Sequence, residues 1–360
     1  MSNLTTASRL RKGLTLGAIA ILATTTFAGC ASTGASAGAT SSGGSAVNIA
    51  FLGYAAANGY SKSSFEAAQA AAEKMGGTVT FFDGKFDGAT QLAQARDAIA
   101  SGKYQALEIM PNNSEQMAPV VKDALAKGIK VAAIDYAIGA DPTDVTKAGV
   151  DGITVQIADN MAEGGQVQGQ KAADLCKGID PCKAMIVIGS KSSEFDVIKL
   201  NEIKKVLAAN PNIQIVNESA LAFDEAKVQQ ATADVLQANP DLNLIITTGD
   251  QNCFGAERAA DAAGKQFTAT TKAGGGDIAC LGWGASIEGV QEILAGKWPS
   301  SIALVPGTFG AKAAETLIDA VRDPSTPQLI TTQTALSPVG RIVDKTILEA
   351  NPTFLGEWNK

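Results

Sequence analysis

Residues 244–265 read LIITTGDQNCFGAERAADAAGK. The first four residues form an apolar, partly β-branched run, Thr248-Gly249-Asp250 turns polar, and apolar residues then recur at helical spacing until Gly264 ends the pattern. A short buried strand, a polar loop and an amphipathic helix make half of a βαβ unit, the repeat of a parallel sheet covered by helices. The same rhythm extends outward from this stretch. Toward the N-terminus strand-like runs at 47–53, 79–82, 106–110 and 131–136 alternate with helical patterns at 63–75, 90–101 and 114–127. After Asp159-Asn160 a second series begins, with helical stretches at 161–176, 194–209, 225–239 and 254–264 and strands at 185–189, 213–223, 244–248 and 277–281. Gly128, Asn210-Pro211 and Asn239-Pro240 stop helices, through a left-handed residue or a proline that cannot continue the ladder. The predicted fold class is therefore α/β, with two similar doubly wound parallel-sheet lobes.

The amino-terminal segment has a different character. Arg9, Arg11 and Lys12 precede an uncharged stretch, 13–28, that is shorter than a membrane-spanning helix and ends in Phe27-Ala28-Gly29-Cys30. This resembles a bacterial lipobox, so residues 1–29 are expected to be a signal peptide, Cys30 the lipidated residue, and 30–46, nearly all Ala, Ser, Thr and Gly, a flexible tether. An ordinary cleaved signal is the alternative. The chain holds 29 Lys and Arg against 36 Asp and Glu, and cleavage before Cys30 removes three bases and no acid, leaving a net charge of about −10. Such an acidic domain argues against a nucleic-acid partner. The roughly 315 residues beyond the tether exceed what one core normally holds, which fits two lobes.

Cys176, Cys182, Cys253 and Cys280 remain, and an exported protein can keep them as disulfides. Four cysteines allow three pairings. Cys176 and Cys182 bracket a short turn that could close locally, which leaves Cys253 with Cys280; buried free thiols are the alternative. Zinc is disfavoured, because the spacing is not paired C-x₂-C and the chain contains no histidine.

Parallel sheets place ligands beyond the carboxyl ends of their strands. There the sequence turns polar, at Asn58-Gly59-Tyr60, Asn112-Asn113, Asp135-Tyr136 and Thr248-Gly249-Asp250. Each cluster alone would read as a capped helix or a wet loop. Their recurrence in both halves marks a shared site.

Four segments resemble the ribose-binding-protein branch of the type I periplasmic binding proteins, over residues 47–345: Ala57-Asn58-Gly59-Tyr60 with Glu73-Lys74-Met75-Gly76, the strand 131–136, Asp159-Asn160 with Gly164-Gly165, and 245–265. The resemblance implies two lobes joined by three crossovers, near 155–159, 303–306 and 331–335. It divides the chain into an N-terminal lobe of 47–156 and 305–331, a C-terminal lobe of 157–304 and 332–345, and a tail of 346–360. It also implies an extracytoplasmic protein that takes a small carbohydrate or polyol in the interlobe cleft, without a cofactor, for an ABC permease and its cytoplasmic ATPase, with the lipid on Cys30 holding it to the outer face of the membrane. Among the implied contacts Asn58 and Asp135 keep the family's residue types, Lys199 replaces an arginine, and Tyr60 and Phe223 keep aromatic faces. Asp135 would be the principal hydroxyl acceptor. Tyr136 stands in place of an arginine, Ser61 of an aromatic, Gly249 of an asparagine, Trp283 of an aspartate and Leu304 of a glutamine. Those changes point away from ribose toward another pentose, a polyol, or a deoxy or bulkier sugar, with Asp250 and Asn113 as compensating polar groups and Trp283 as a stacking wall opposite Tyr60.

Catalysis has little support. The chain has no histidine, and no G-x-S-x-G, H-E-x-x-H or P-loop pattern occurs. A repressor of this fold would carry a helix-turn-helix where this chain has a signal and a tether. A sensory binding protein that docks on a receptor remains the alternative to a transport component.

Overall fold

The apolar runs become strands that are buried along their length, as expected where helices cover both faces of a sheet. In the computed structural model, which describes residues 46–139, 141 and 143–360, the first lobe opens with β1 (Asn48–Gly53), α1 (Gly59–Lys74), β2 (Thr78–Asp83), α2 (Gly88–Ser101), β3 (Ala106–Ile109), α3 (Ser114–Ala126), β4 (Lys130–Asp135) and β5 (Val155–Ala158). The second lobe holds α4 (Met161–Leu175), β6 (Cys182–Ile188), α5 (Glu194–Ala208), β7 (Ile213–Ala220), α6 (Glu225–Ala238), β8 (Leu244–Thr247), α7 (Asp250–Ala262), β9 (Gln266–Phe267), β10 (Asp277–Gly284), α8 (Ile287–Leu294) and β11 (Ser300–Ala303). The chain then returns to the first lobe as α9 (Pro306–Arg322), which packs on α1, and β12 (Leu329–Thr332). It ends in α10 (Gln333–Leu336), β13 (Ile342–Val343) and α11 (Lys345–Ala350), with α11 against α8.

The first sheet has the order β12-β5-β4-β3-β1-β2, parallel throughout. The second runs β13-β11-β10-β8-β6-β7, with β13 antiparallel to β11 and β9 paired to β10. Each sheet has an apolar core on both faces. In the first lobe Phe51, Ile134 and Phe309 pack toward α1 and α9, while Leu52, Ile109 and Val121 pack toward α2 and α3. In the second, Ile245 and Trp298 occupy one face, and Ile186 with Leu281 the other. Burying each large apolar side chain contributes about 1.5–3 kcal/mol, which is why these short runs dominate the fold.

The chain passes between lobes at 159–160, 304–305 and 333–341. The lobe bounds differ from those the resemblance implies: β5 belongs whole to the first sheet, so the first break follows Ala158 and not residue 156, and Thr332 still pairs with Ala158 in that sheet. Strand pairing decides these bounds, and single-strand periodicity cannot see it. Two helices start earlier than their apolar pattern. Gly59, Tyr60 and Ser61 form the first turn of α1, and Asp250 opens α7. Residues 346–360 are not a loose tail, since α11 and Phe354 pack into the second lobe.

Cys176–Cys182 and Cys253–Cys280 are disulfide-bonded, with Cα separations of 5.7 and 5.9 Å. One ties the end of α4 to the start of β6, the other α7 to β10. Residues 1–45, which include the signal, Cys30 and nearly all of the tether, lie outside the described residues. No described helix is long and apolar enough to cross a membrane.

Candidate ligand-binding site

Four helices begin at the carboxyl edges of the two sheets with a side chain that caps the first turn. Asn58 accepts from the Ser61 amide at 2.9 Å, Asp87 from Thr90 at 2.6 Å, Asn113 from Gln116 at 2.9 Å and Ser193 from Asp196 at 3.3 Å. All four residues line a single cavity of about 570 Å³ between the lobes. A cap satisfies an amide that the helix itself leaves free, so these residues earn their place structurally and still present a second polar atom to the cavity. Four converging helix N-termini also give the space a positive partial charge that favours oxygen lone pairs.

Side chains of the two lobes meet across the cleft. Tyr136 stacks on Phe195 with ring centroids 3.7 Å apart and planes 15° from parallel. Lys199 Nζ donates to the Tyr136 hydroxyl at 3.0 Å and lies 4.7 Å from the centre of the Trp283 ring. The Ser114 amide donates to Glu194 at 2.8 Å. These contacts make this the closed arrangement of the lobes. Lys199 is only 4% exposed; its charge meets one hydroxyl and two aromatic faces and is attracted by the Asp135 carboxylate.

Backbone strain collects here. Asp135 and Phe223 take left-handed φ angles of 69° and 56°, each at a cost of about 1–3 kcal/mol that persists only where surrounding contacts enforce it. The Phe223 ring fills the space beside Gly249, where a Cβ would sit 2.7 Å from Phe223 Cδ1. The missing side chain at 249 is thus the room that Phe223 uses.

Of the residues expected from the sequence, Asn58, Tyr60, Asn113, Tyr136, Lys199, Phe223 and Trp283 line the cavity. Asp135, Ser61 and Asp250 do not. Asp135 lies one layer behind, accepting from Tyr54 at 2.7 Å, Tyr60 at 2.8 Å and Gln333 at 2.6 Å. Three donors already sit on it, so it orients the two tyrosines from outside the cavity lining in which a principal hydroxyl acceptor was expected. Burial pushes its carboxyl up to about 6, opposed by the Tyr54 hydroxyl and assisted by the negative charge of Asp159. Burial and the Asp135 charge hold the Tyr54 and Tyr60 hydroxyls well above the usual tyrosine range, so both remain donors. Ser61 is fully buried and its Oγ accepts from the Tyr54 amide at 3.2 Å. Asp250 is consumed by the Ser286 amide and hydroxyl and by Ser301, which fix the turn after β10. A side chain that begins a helix points by the helix's geometry, which strand-end polarity does not reveal. Trp283 and Tyr60 both line the cavity, and the rings that meet Tyr60 edge-on are Trp358 at 5.7 Å and Phe309 at 6.0 Å.

Sequence reasoning missed Tyr54, Phe86, Phe195, Asp196 and Trp358, all of which line the cavity. Asp196 accepts from Thr248 Oγ1 at 2.9 Å and from the Ser190 amide at 2.9 Å, one bond to each oxygen. Each oxygen keeps acceptor capacity. Tyr54, directly after β1, could have been found by its position beyond a strand end; Trp358 carries no such signal.

A family model described as a periplasmic binding protein domain matches residues 49–324. The chain belongs to the periplasmic binding protein family. The ribose import binding protein of Escherichia coli is 25% identical over 251 residues, 70% of this chain and 77% of that protein. Among solved structures, a Mycobacterium smegmatis protein in complex with β-D-fucofuranose superposes with a TM-score of 0.70 at 22% identity, over 86% of this chain and 95% of that one. The periplasmic binding component of the arabinose ABC transporter of Shewanella sp. ANA-3, bound to L-arabinofuranose, gives 0.69 at 22% identity, over 85% and 94%. This periplasmic binding protein accordingly has the type I two-lobed fold and works outside the cytoplasm. It binds a solute and catalyses nothing.

Proposed function

We propose that this protein captures a sugar or polyol between its lobes and delivers it to an ABC import permease, tethered to the outer face of the membrane through a lipid on Cys30. The observation that carries the ligand class is the composition of the closed cavity. Aromatic faces from both lobes can cover the C–H surfaces of a sugar ring, while Asn58, Asn113, Lys199 and Asp196 supply donors and an acceptor for its hydroxyls. The named ligands of the similar proteins, ribose, L-arabinofuranose and β-D-fucofuranose, belong to the same chemical class. Contacts from both lobes make the ligand bind the closed form better than the open one, and that difference drives closure. A permease that docks on both lobes would then read closure as occupancy.

A thermal-shift screen of pentoses, hexoses in both ring forms and polyols tests the ligand class. At 100 times its dissociation constant a true ligand adds about 2.7 kcal/mol to stability. A panel in which no carbohydrate raises the melting temperature would sink the proposal. In the same preparation, the mass of the exported protein should place its first residue at Cys30 with acyl chains attached; a mature terminus elsewhere would remove the anchor.

A further inference from the structure

Residues 351–360 leave α11 in the second lobe and run back to the first lobe beside the cavity. Phe354 is buried in the second lobe's core. Glu357 then reaches the first lobe, where its carboxylate accepts from the Thr308 amide at 2.9 Å and from the Thr308 hydroxyl. That amide belongs to the first turn of α9, a helix with no side-chain cap of its own. A carboxylate brought in from 49 residues away therefore serves as the missing cap. The Glu357 carbonyl also accepts from Ser63 on α1. The next residue turns to the other lobe: Trp358 donates from Nε1 to the Gly284 carbonyl at 2.8 Å, and its own carbonyl accepts from Ile287 at the start of α8 at 2.9 Å. Lys360 completes the second anchor, with Nζ 3.8 Å from the Phe254 ring centre.

Glycines make room for this path on both lobes and in the segment itself. A Cβ at Gly59 would collide with the Asn359 carbonyl, one at Gly284 would lie 2.5 Å from the Trp358 ring, and one at Gly356 would lie 2.7 Å from the Ile287 amide. Gly356 also has a φ of 84°, which a side chain rarely adopts. Between its two anchors the segment places Trp358, 3% exposed, in the wall of the ligand cavity and against Tyr60. It is a further link between the lobes beside the three crossovers, made by side-chain and main-chain bonds of the segment.

We propose that residues 351–360 form a strap that holds the lobes closed, with Trp358 as the ligand-facing wall it delivers. The wall role rests on the sugar-binding proposal above; the strap role does not. Gly356→Val changes no side chain of the cavity or of the cap, but it has no room on α8 and should lift the strap, and with it Trp358 and Glu357. Solution X-ray scattering of the ligand-free proteins should then give a larger radius of gyration for Gly356→Val than for the unmodified chain, with equal helix content by circular dichroism. Equal radii in two folded proteins would overturn the strap. Trp358→Ala should weaken binding of the most stabilising sugar of the panel by about tenfold, and Trp358→Phe, which keeps a ring but loses the bond to Gly284, should fall between. Unchanged affinity in Trp358→Ala would overturn its role as a wall. If no sugar stabilises the unmodified protein, the ligand class and the wall role that rests on it both fall, while the scattering comparison still decides the strap.

Discussion

Asp135 shows how a residue of the expected type can hold a different role. Its carboxylate is the acceptor for Tyr54, Tyr60 and Gln333, and it lies behind the rings that line the cavity. Its titration is measurable. The folded value of about 6 lies above the ordinary aspartate value of 3.8 that holds in the unfolded chain, so between those values the folded protein binds more protons. Stability from this group is present below about pH 4 and is lost as pH rises through about 6. The gap of about two pH units corresponds to roughly 3 kcal/mol. Asp135→Asn has no such proton to lose. Denaturant melts at about pH 4 and about pH 7 should therefore show the stability difference between the two proteins moving by up to about 3 kcal/mol in favour of Asn as the pH rises. Parallel profiles would place the titration elsewhere.

At the scale of elements, the polar strand ends are caps first and cavity residues second. Asn58 spends Oδ1 on the Ser61 amide, which leaves its amide nitrogen for a ligand. Asn58→Ala should cost about 1 kcal/mol of stability through the lost cap. Asn58→Asp keeps the cap yet cannot donate. Both variants should bind sugar about tenfold more weakly, with only the alanine form melting early. An aspartate variant that binds normally would make Asn58 a cap alone. The sequence pattern located α2, α3, α5 and α6 to within two residues, because their apolar periodicity and stop signals coincide. It started α1 and α7 four residues late, since their first turns are polar or glycine-rich and packed against the cleft.

At the scale of the molecule, the lobes are joined where two crossovers meet. Arg341 on the third crossover bonds the Asp159 carboxylate and the Asn160 carbonyl on the first, and both charged side chains are buried. Arg341→Met leaves Asp159 uncompensated and should cost about 3–5 kcal/mol. The double variant Asp159→Leu with Arg341→Met removes both charges and should recover much of that loss; a double variant as unstable as the single would mean the arginine acts through packing. The alternation of short apolar runs with amphipathic helices determined by itself the α/β class, the two lobes and the strand edges at which a ligand would sit, because these follow from local periodicity and the need to bury it. Only the tertiary structure decided which residues line the cavity. Asp135 and Asp250 are turned away by hydrogen bonds to distant partners and Ser61 by one to the Tyr54 amide, and Phe195, Asp196 and Trp358 are brought in by the meeting of the lobes, which no local pattern records.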